Sequence, residues 1–223
     1  QAFNPHFTEL ISSGDEESLA RKQLLVSQLM NVMILPPVAL IIFLSQPILF
    51  AWTGNPDVAE GAASILSVMM VGTALSACSY PSLSILFGRK RLKPVIVINV
   101  ISLVVLLPLL IFGVLKFGAI GAAYIWGFYG LILFVTYQAY AMPRISKSGL
   151  FLFIFRNFGI PCGVSFMVAG VAAHWLRDVD GKITFVILLG FALIAGWSSA
   201  LLVSKELLNT VMEKLKWKTK ISL

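Results

Sequence analysis

The side chains able to do chemistry are few in this chain, and their positions argue against catalysis. General acid–base work needs carboxylates or imidazoles held together in a pocket. All ten acidic residues fall in connections or at the ends of long apolar runs, and the two histidines, His6 and His174, are far apart in sequence. His174 stands beside Trp175 and reads as a residue of the membrane–water interface rather than a ligand. The two cysteines, Cys78 and Cys162, lie inside apolar runs without metal-ligating neighbours. They read as small packing residues rather than a disulfide. No Gly-rich phosphate loop, zinc-ligand spacing or nucleophile elbow occurs. The sequence therefore predicts no catalytic residue, no metal site, no cofactor and no enzyme.

What remains is a set of uncharged polar residues inside the apolar runs. Gln28 and Asn31 are three apart, hence on one helix face. Ser76, Ser79, Tyr80 and Ser82 cluster around Pro81, Asn99 and Ser102 are again three apart, and Thr136, Tyr137 and Gln138 are consecutive. From this set Gln28, Asn31, Ser76, Tyr80, Asn99 and Gln138 are the candidate substrate-cavity residues. They support two readings. One is a polar vestibule that holds sugar hydroxyls or phosphate oxygens. The other is hydrogen bonding between helices, at about 0.6 kcal/mol per bond on average within a membrane.

The elements that carry these residues follow from charge patterning. Six stretches hold no charged residue: 23–56, 61–88, 94–115, 117–143, 157–176 and 183–204. Each is long enough to cross a bilayer, since a helix needs about 20 apolar residues to span roughly 30 Å of hydrocarbon. Counted in the alternate connections, fourteen Lys and Arg fall on one side and three, Lys116, Arg177 and Lys182, on the other. Basic residues collect on the untranslocated side. The expected fold is all-α: a polytopic transmembrane helical bundle of six spans with both ends cytoplasmic. Hydrophobic residues make up 58% of the chain, charged residues 12%, and the mean hydropathy is +0.91. A soluble domain of this length carries about twice that charge. The net charge of +7 sits beside membrane segments and suits anionic lipid head groups, not nucleic acid.

The punctuation adds detail. Residues 1–22 read as a cytoplasmic loop and helix start, with Asp15 as cap and Glu16 and Glu17 in the first turn. Polar residues at the front and the absence of an initiator Met give no signal peptide and suggest missing preceding residues. Pro36-Pro37 predict a kink in the first span, and Pro108 a bend in the third. Thr53-Gly54-Asn55-Pro56-Asp57 is a turn, and Lys116-Phe117 a tight hairpin. Pro36, Pro37, Pro81, Gly118, Gly121 and Gly127 are the candidate hinge and helix-packing residues, because small residues three and four apart let helices approach closely. The fifth span starts near Phe151 or Asn157. Residues 23–143 would form four spans and 144–204 two more. The tail, 205–223, reads as an amphipathic helix on the cytoplasmic leaflet or as a short solvated end.

Four pieces of sequence resemble the second half of the polysaccharide exporters, the O-antigen and capsule-unit flippases of the multidrug/oligosaccharidyl-lipid/polysaccharide superfamily. They are Phe3-Asn4-Pro5-His6-Phe7-Thr8-Glu9-Leu10 with Ser13-Gly14-Asp15 and Leu19-Ala20-Arg21; Leu49-Phe50-Ala51-Trp52-Thr53-Gly54; Gly88-Arg89-Lys90-Arg91; and Phe117-Gly118-Ala119-Ile120-Gly121-Ala122-Ala123. The resemblance implies a larger two-lobe flippase fold, of which this chain holds the second lobe and two additional helices. It implies alternating access in a bacterial cytoplasmic (inner) membrane, and transport of a polyprenyl-diphosphate-linked oligosaccharide for O-antigen, capsule or exopolysaccharide assembly. The implied partners are the lipid bilayer, the lipid-linked glycan, the missing N-terminal spans, and a polysaccharide polymerase or glycosyltransferases. A multidrug or small-molecule secondary transporter of the same superfamily, or a non-catalytic membrane subunit, stays open beside it.

Overall fold

The computed structural model describes residues 11, 13–141, 150–176, 181–204, 207–210 and 212. The leading segment 1–10 and the tail beyond 212, where the first family-like motif and most of the amphipathic pattern fall, lie outside the described residues. Every described element is a helix, and six are long and apolar enough to cross a membrane. The chain is that of a multi-pass membrane protein.

Helix α1, Glu16–Phe43, begins where Asp15 accepts a hydrogen bond from the Ser18 N–H at 3.0 Å. The Ser18 side chain first, and this backbone bond second, hold the Asp15 carboxyl below its ordinary pKa. The helix continues through Pro36-Pro37 and ends at Leu44, beyond which α2 occupies Ser45–Thr53. The first apolar stretch is thus two helices, and Pro47 explains the break. Its ring has no N–H and crowds the carbonyl four residues earlier, Phe43, where α1 stops. The neighbouring Ile42 carbonyl instead accepts the Ser67 hydroxyl, 3.2 Å away on the next span.

Helix α3, Pro56–Gly88, starts with proline in its first turn and Asn55 as cap, accepting from the N–H groups of Asp57 and Val58. Helix α4, Leu92–Phe117, follows a basic turn in which Lys90 takes φ 54°. Arg89 of that turn is ion-paired with Glu16, so the start of α1 and the α3–α4 turn share one end of the bundle. Helix α4 passes through Pro108 unbroken and includes Lys116 and Phe117; the hairpin into α5, Ala119–Ala141, is Gly118 alone, at φ 65°. The fifth span is composite: α6 Leu150–Ile154, a π-helical turn Phe155–Gly159, and α7 Ile160–Leu176. Helix α8 is Lys182–Val203.

Packing divides unevenly. Helix α5 lies against both α3 and α4, while α3 and α4 scarcely touch each other. Helix α1 is the most enclosed span and packs on α3, α7 and α8. Glycine permits the closest approaches. A Cβ on Gly72 of α3 would stand 2.7 Å from the Trp126 carbonyl oxygen of α5, Gly121 of α5 abuts the Gly113 backbone of α4, and Gly196 of α8 accepts the Pro36 ring. Gly127 is looser, with Val68 as its nearest contact at 3.9 Å. Cys78 and Cys162 are free thiols packed with Leu35 and Phe134. By contrast α4 buries only Val95 and Gly113, and its Ile101, Leu103, Val104, Val105 and Leu107 are exposed. Apolar surface of this extent belongs against lipid or another protein.

Candidate functional site

The sequence-predicted polar residues separate into three groups. The first joins α1 to the π turn. Gln28 and Asn31 are both buried, and both reach Asn157. Gln28 Nε2 donates to Asn157 Oδ1 at 3.1 Å, and Asn31 Nδ2 donates to the Asn157 carbonyl at 2.6 Å. Pro161 accounts for this second bond. It follows Asn157 by four residues and has no N–H to return to that carbonyl, so a side chain from another helix takes the donor's place. The Asn157 amide in turn donates to the Phe153 carbonyl at 2.9 Å, which fixes its orientation. Gln28 also accepts the Leu207 backbone N–H at 3.0 Å. Leu208 N–H bonds back to the Ser204 carbonyl, and Gln28 satisfies the N–H of Leu207 just before it. One glutamine therefore links the first span, the fifth span and the start of the tail.

The second group crosses three spans near the same end. Gln23 Nε2 donates to Ser82 Oγ at 3.3 Å, and Ser82 Oγ donates to Gln138 Oε1 at 2.6 Å. All three are buried. Gln23 Oε1, Ser27 Oγ and Ser76 Oγ are buried without a hydrogen-bond partner among the described residues.

The third group lies on exposed surface. Asn99 donates to the Val95 carbonyl at 2.9 Å and to the Tyr137 hydroxyl at 3.3 Å. Tyr80 is 58% exposed. Trp126 Nε1 donates to Thr73 Oγ1 at 3.3 Å.

Gln28 and Asn31 are thus brought together, Gln138 belongs to a separate network, and Tyr80 and Asn99 face outward beside Tyr137. Four side chains that join these groups by hydrogen bonds escaped the sequence reading: Gln23, Thr73, Trp126 and Asn157. For Asn157 a signal existed in the proline four residues later; for the others the sequence offers no spacing that singles them out. Among the described residues no cluster of three or more His, Cys, Asp or Glu could hold a metal ion. A groove of about 370 Å³ between α4 and α5 is lined by Leu109, Phe112, Phe117, Tyr124 and their neighbours. The surface it presents is apolar.

The arrangement is one of polar side chains without charge, set between spans and along one exposed seam. A sequence model of the MatE family, one of the multidrug/oligosaccharidyl-lipid/polysaccharide exporter superfamily, matches residues 8–112, and over that stretch the chain is similar to membrane transporters and flippases. No curated protein and no solved structure matches the chain.

Proposed function

We propose that this chain belongs to a flippase that carries a polyprenyl-diphosphate-linked oligosaccharide across a bacterial cytoplasmic membrane by alternating access. The observation that carries the reading is the similarity to MatE across the first three spans. Two further features support the lipid-linked glycan over a drug or cation. No acidic residue stands within the interior of a span, whereas intramembrane carboxylates are the usual mark of ion- and cation-coupled transport. The polar groups within the spans are amides and hydroxyls gathered toward one end, the chemistry that meets sugar hydroxyls. A sugar diphosphate does not enter hydrocarbon without losing hydration at a cost of many kcal/mol. A polar path between two rocking lobes removes that cost. The second lobe and two additional helices would come from this chain, and the first lobe from the spans before it. Drug export stands as the second reading, because the matched family also contains transporters of that kind.

Deletion of the gene in its own cells tests both. Loss of surface glycan together with lipid-linked glycan accumulating on the cytoplasmic leaflet is the expected result. Unchanged surface glycan with lowered tolerance to cationic drugs would replace the reading with the second one. The orientation is tested separately by labelling single cysteines in intact cells with a membrane-impermeant maleimide. Gly54→Cys should react from outside and Gly88→Cys should not; the opposite pattern reverses the topology.

A further inference from the structure

A strip of aromatic and hydroxyl-bearing side chains runs along the seam where α3 and α4 meet α5. It begins at Thr73, the midpoint of α3, whose hydroxyl accepts the Trp126 indole N–H. Trp126 and Tyr129 have ring centroids 5.8 Å apart at 50°. Tyr129 and Tyr80 are both electrostatic neighbours of Tyr137, and Tyr137 accepts from Asn99 of α4. Tyr137 is buried and packed with Leu86, Val95 and Tyr129, so it fastens the strip to the bundle. Thr73, Tyr80 and Asn99 are exposed, and Trp126 and Tyr129 are half-exposed.

This surface does not suit lipid. Within the described residues the hydroxyls of Tyr80 and Tyr129 make no hydrogen bond. The Asn99 amide oxygen, an acceptor with two lone pairs, has no donor there either. Hydrocarbon would leave these groups unsatisfied at a cost of several kcal/mol each. Along the outward face of α4 at similar depth, the surface is Ile101, Leu103, Val104 and Leu107, which lipid covers without penalty. The contrast means that something polar meets the strip, which runs from Thr73 at the middle of α3 toward the end where the other polar groups gather. Its geometry narrows what that is. Aromatic faces present flat, weakly negative surfaces, and the axial C–H groups of a pyranose ring stack on such faces. Phenol and amide groups set along the edges match the equatorial hydroxyls of the same ring.

We infer that the strip formed by Thr73, Trp126, Tyr129, Tyr80 and Asn99 is a contact surface for the sugar rings of the transported molecule. The inference rests on the proposed transport of a lipid-linked glycan and assigns the sugar-facing surface within it. The buried pair Gln28 and Asn31 then supports the bundle, while the strip meets substrate.

Two measurements on the full-length protein test it. In cells lacking the gene, the double variant Tyr80→Phe with Tyr129→Phe keeps both rings and removes only the hydroxyls. It should lower surface glycan at least tenfold, with membrane level and melting temperature as in the wild type. Trp126→Leu should do the same by removing the stacking face. A loss under twofold in both variants, in cells where gene deletion does abolish surface glycan, overturns the strip and leaves the flippase reading standing. Deletion that leaves surface glycan intact overturns both. The second measurement is independent of substrate: Tyr80→Cys, in a protein with Cys78 and Cys162 replaced by alanine, should react with a water-soluble methanethiosulfonate. Failure to react while Gly88→Cys is labelled in inside-out vesicles would show lipid or a helix of the first lobe covering the strip, and would also overturn it.

Discussion

Replacing Gly130 with leucine is expected to abolish the folded protein. The reason lies in backbone meeting backbone. A side chain on Gly130 would run into the Gly72 carbonyl oxygen and stand 2.9 Å from the Gly72 Cα. Neither is the end of a flexible group, so α3 and α5 would have to separate along the most extensive helix contact among the described residues. Overpacking a core commonly costs about 1–3 kcal/mol even where side chains rearrange. Here rearrangement is closed off, and the whole stability of a protein is only about 5–15 kcal/mol. Size-exclusion of detergent-solubilised full-length protein should show the monodisperse peak lost for Gly130→Leu, and strongly reduced for Gly72→Val. Gly190→Ala serves as the control, since nothing lies within 4 Å of the added carbon on α8. A wild-type peak for Gly130→Leu would mean that α3 and α5 do not approach at this point, and the seam that carries the aromatic strip would lose its basis.

Much of the bundle is legible without coordinates because two independent patterns coincide. Bilayer thickness sets the length of each uncharged run, and the alternation of Lys and Arg sets their sense. The cap at Asp15 and the turn ahead of α3 are local signals that the structure repeats. Proline meaning is less local. Pro36-Pro37 predict a kink in the first helix; the helix runs through both without a break, and the Pro36 ring is lodged against Gly196 of α8. The break comes at Leu44, ahead of Pro47. A proline leaves one carbonyl without its donor, and whether the helix opens depends on what other helices supply there. That supply is tertiary and cannot be read from a window of sequence.

The polar residues teach the same distinction. Depth along a span is visible in sequence, and it groups Gln28, Asn31, Tyr80, Asn99 and Gln138 at one end. The direction each faces depends on which helices become neighbours. The structure turns Gln28, Asn31 and Gln138 inward, where each finds a partner, and Tyr80 and Asn99 outward. Gly121 abuts the Gly113 backbone, while Gly118, of the same local composition, is the hairpin turn. A small residue permits close approach or a positive φ equally, and only the register of the hairpin separates the two.

The contact between Asn31 and Asn157 gives the sharpest quantitative expectation. Asn31→Leu removes the donor that Pro161 cannot provide, and leaves a buried carbonyl bare. A buried group stranded in this way costs about 1–3 kcal/mol, against an average of about 0.6 kcal/mol for a side-chain bond between membrane helices. The expected loss is therefore about 1–2 kcal/mol, well above the average bond. Pro161→Ala restores an N–H four residues after Asn157, so in that background the carbonyl has a helical donor and no longer depends on Asn31. The cost of Asn31→Leu should then fall by about 1 kcal/mol, a coupling that a double-mutant cycle measures directly. Reversible denaturation of the full-length protein in mixed micelles supplies the four stabilities. Equal costs of Asn31→Leu in the two backgrounds would show that the asparagine contributes packing alone, and that the π turn at Phe155–Gly159 is held by something other than the exchange of a helical donor for a side-chain one.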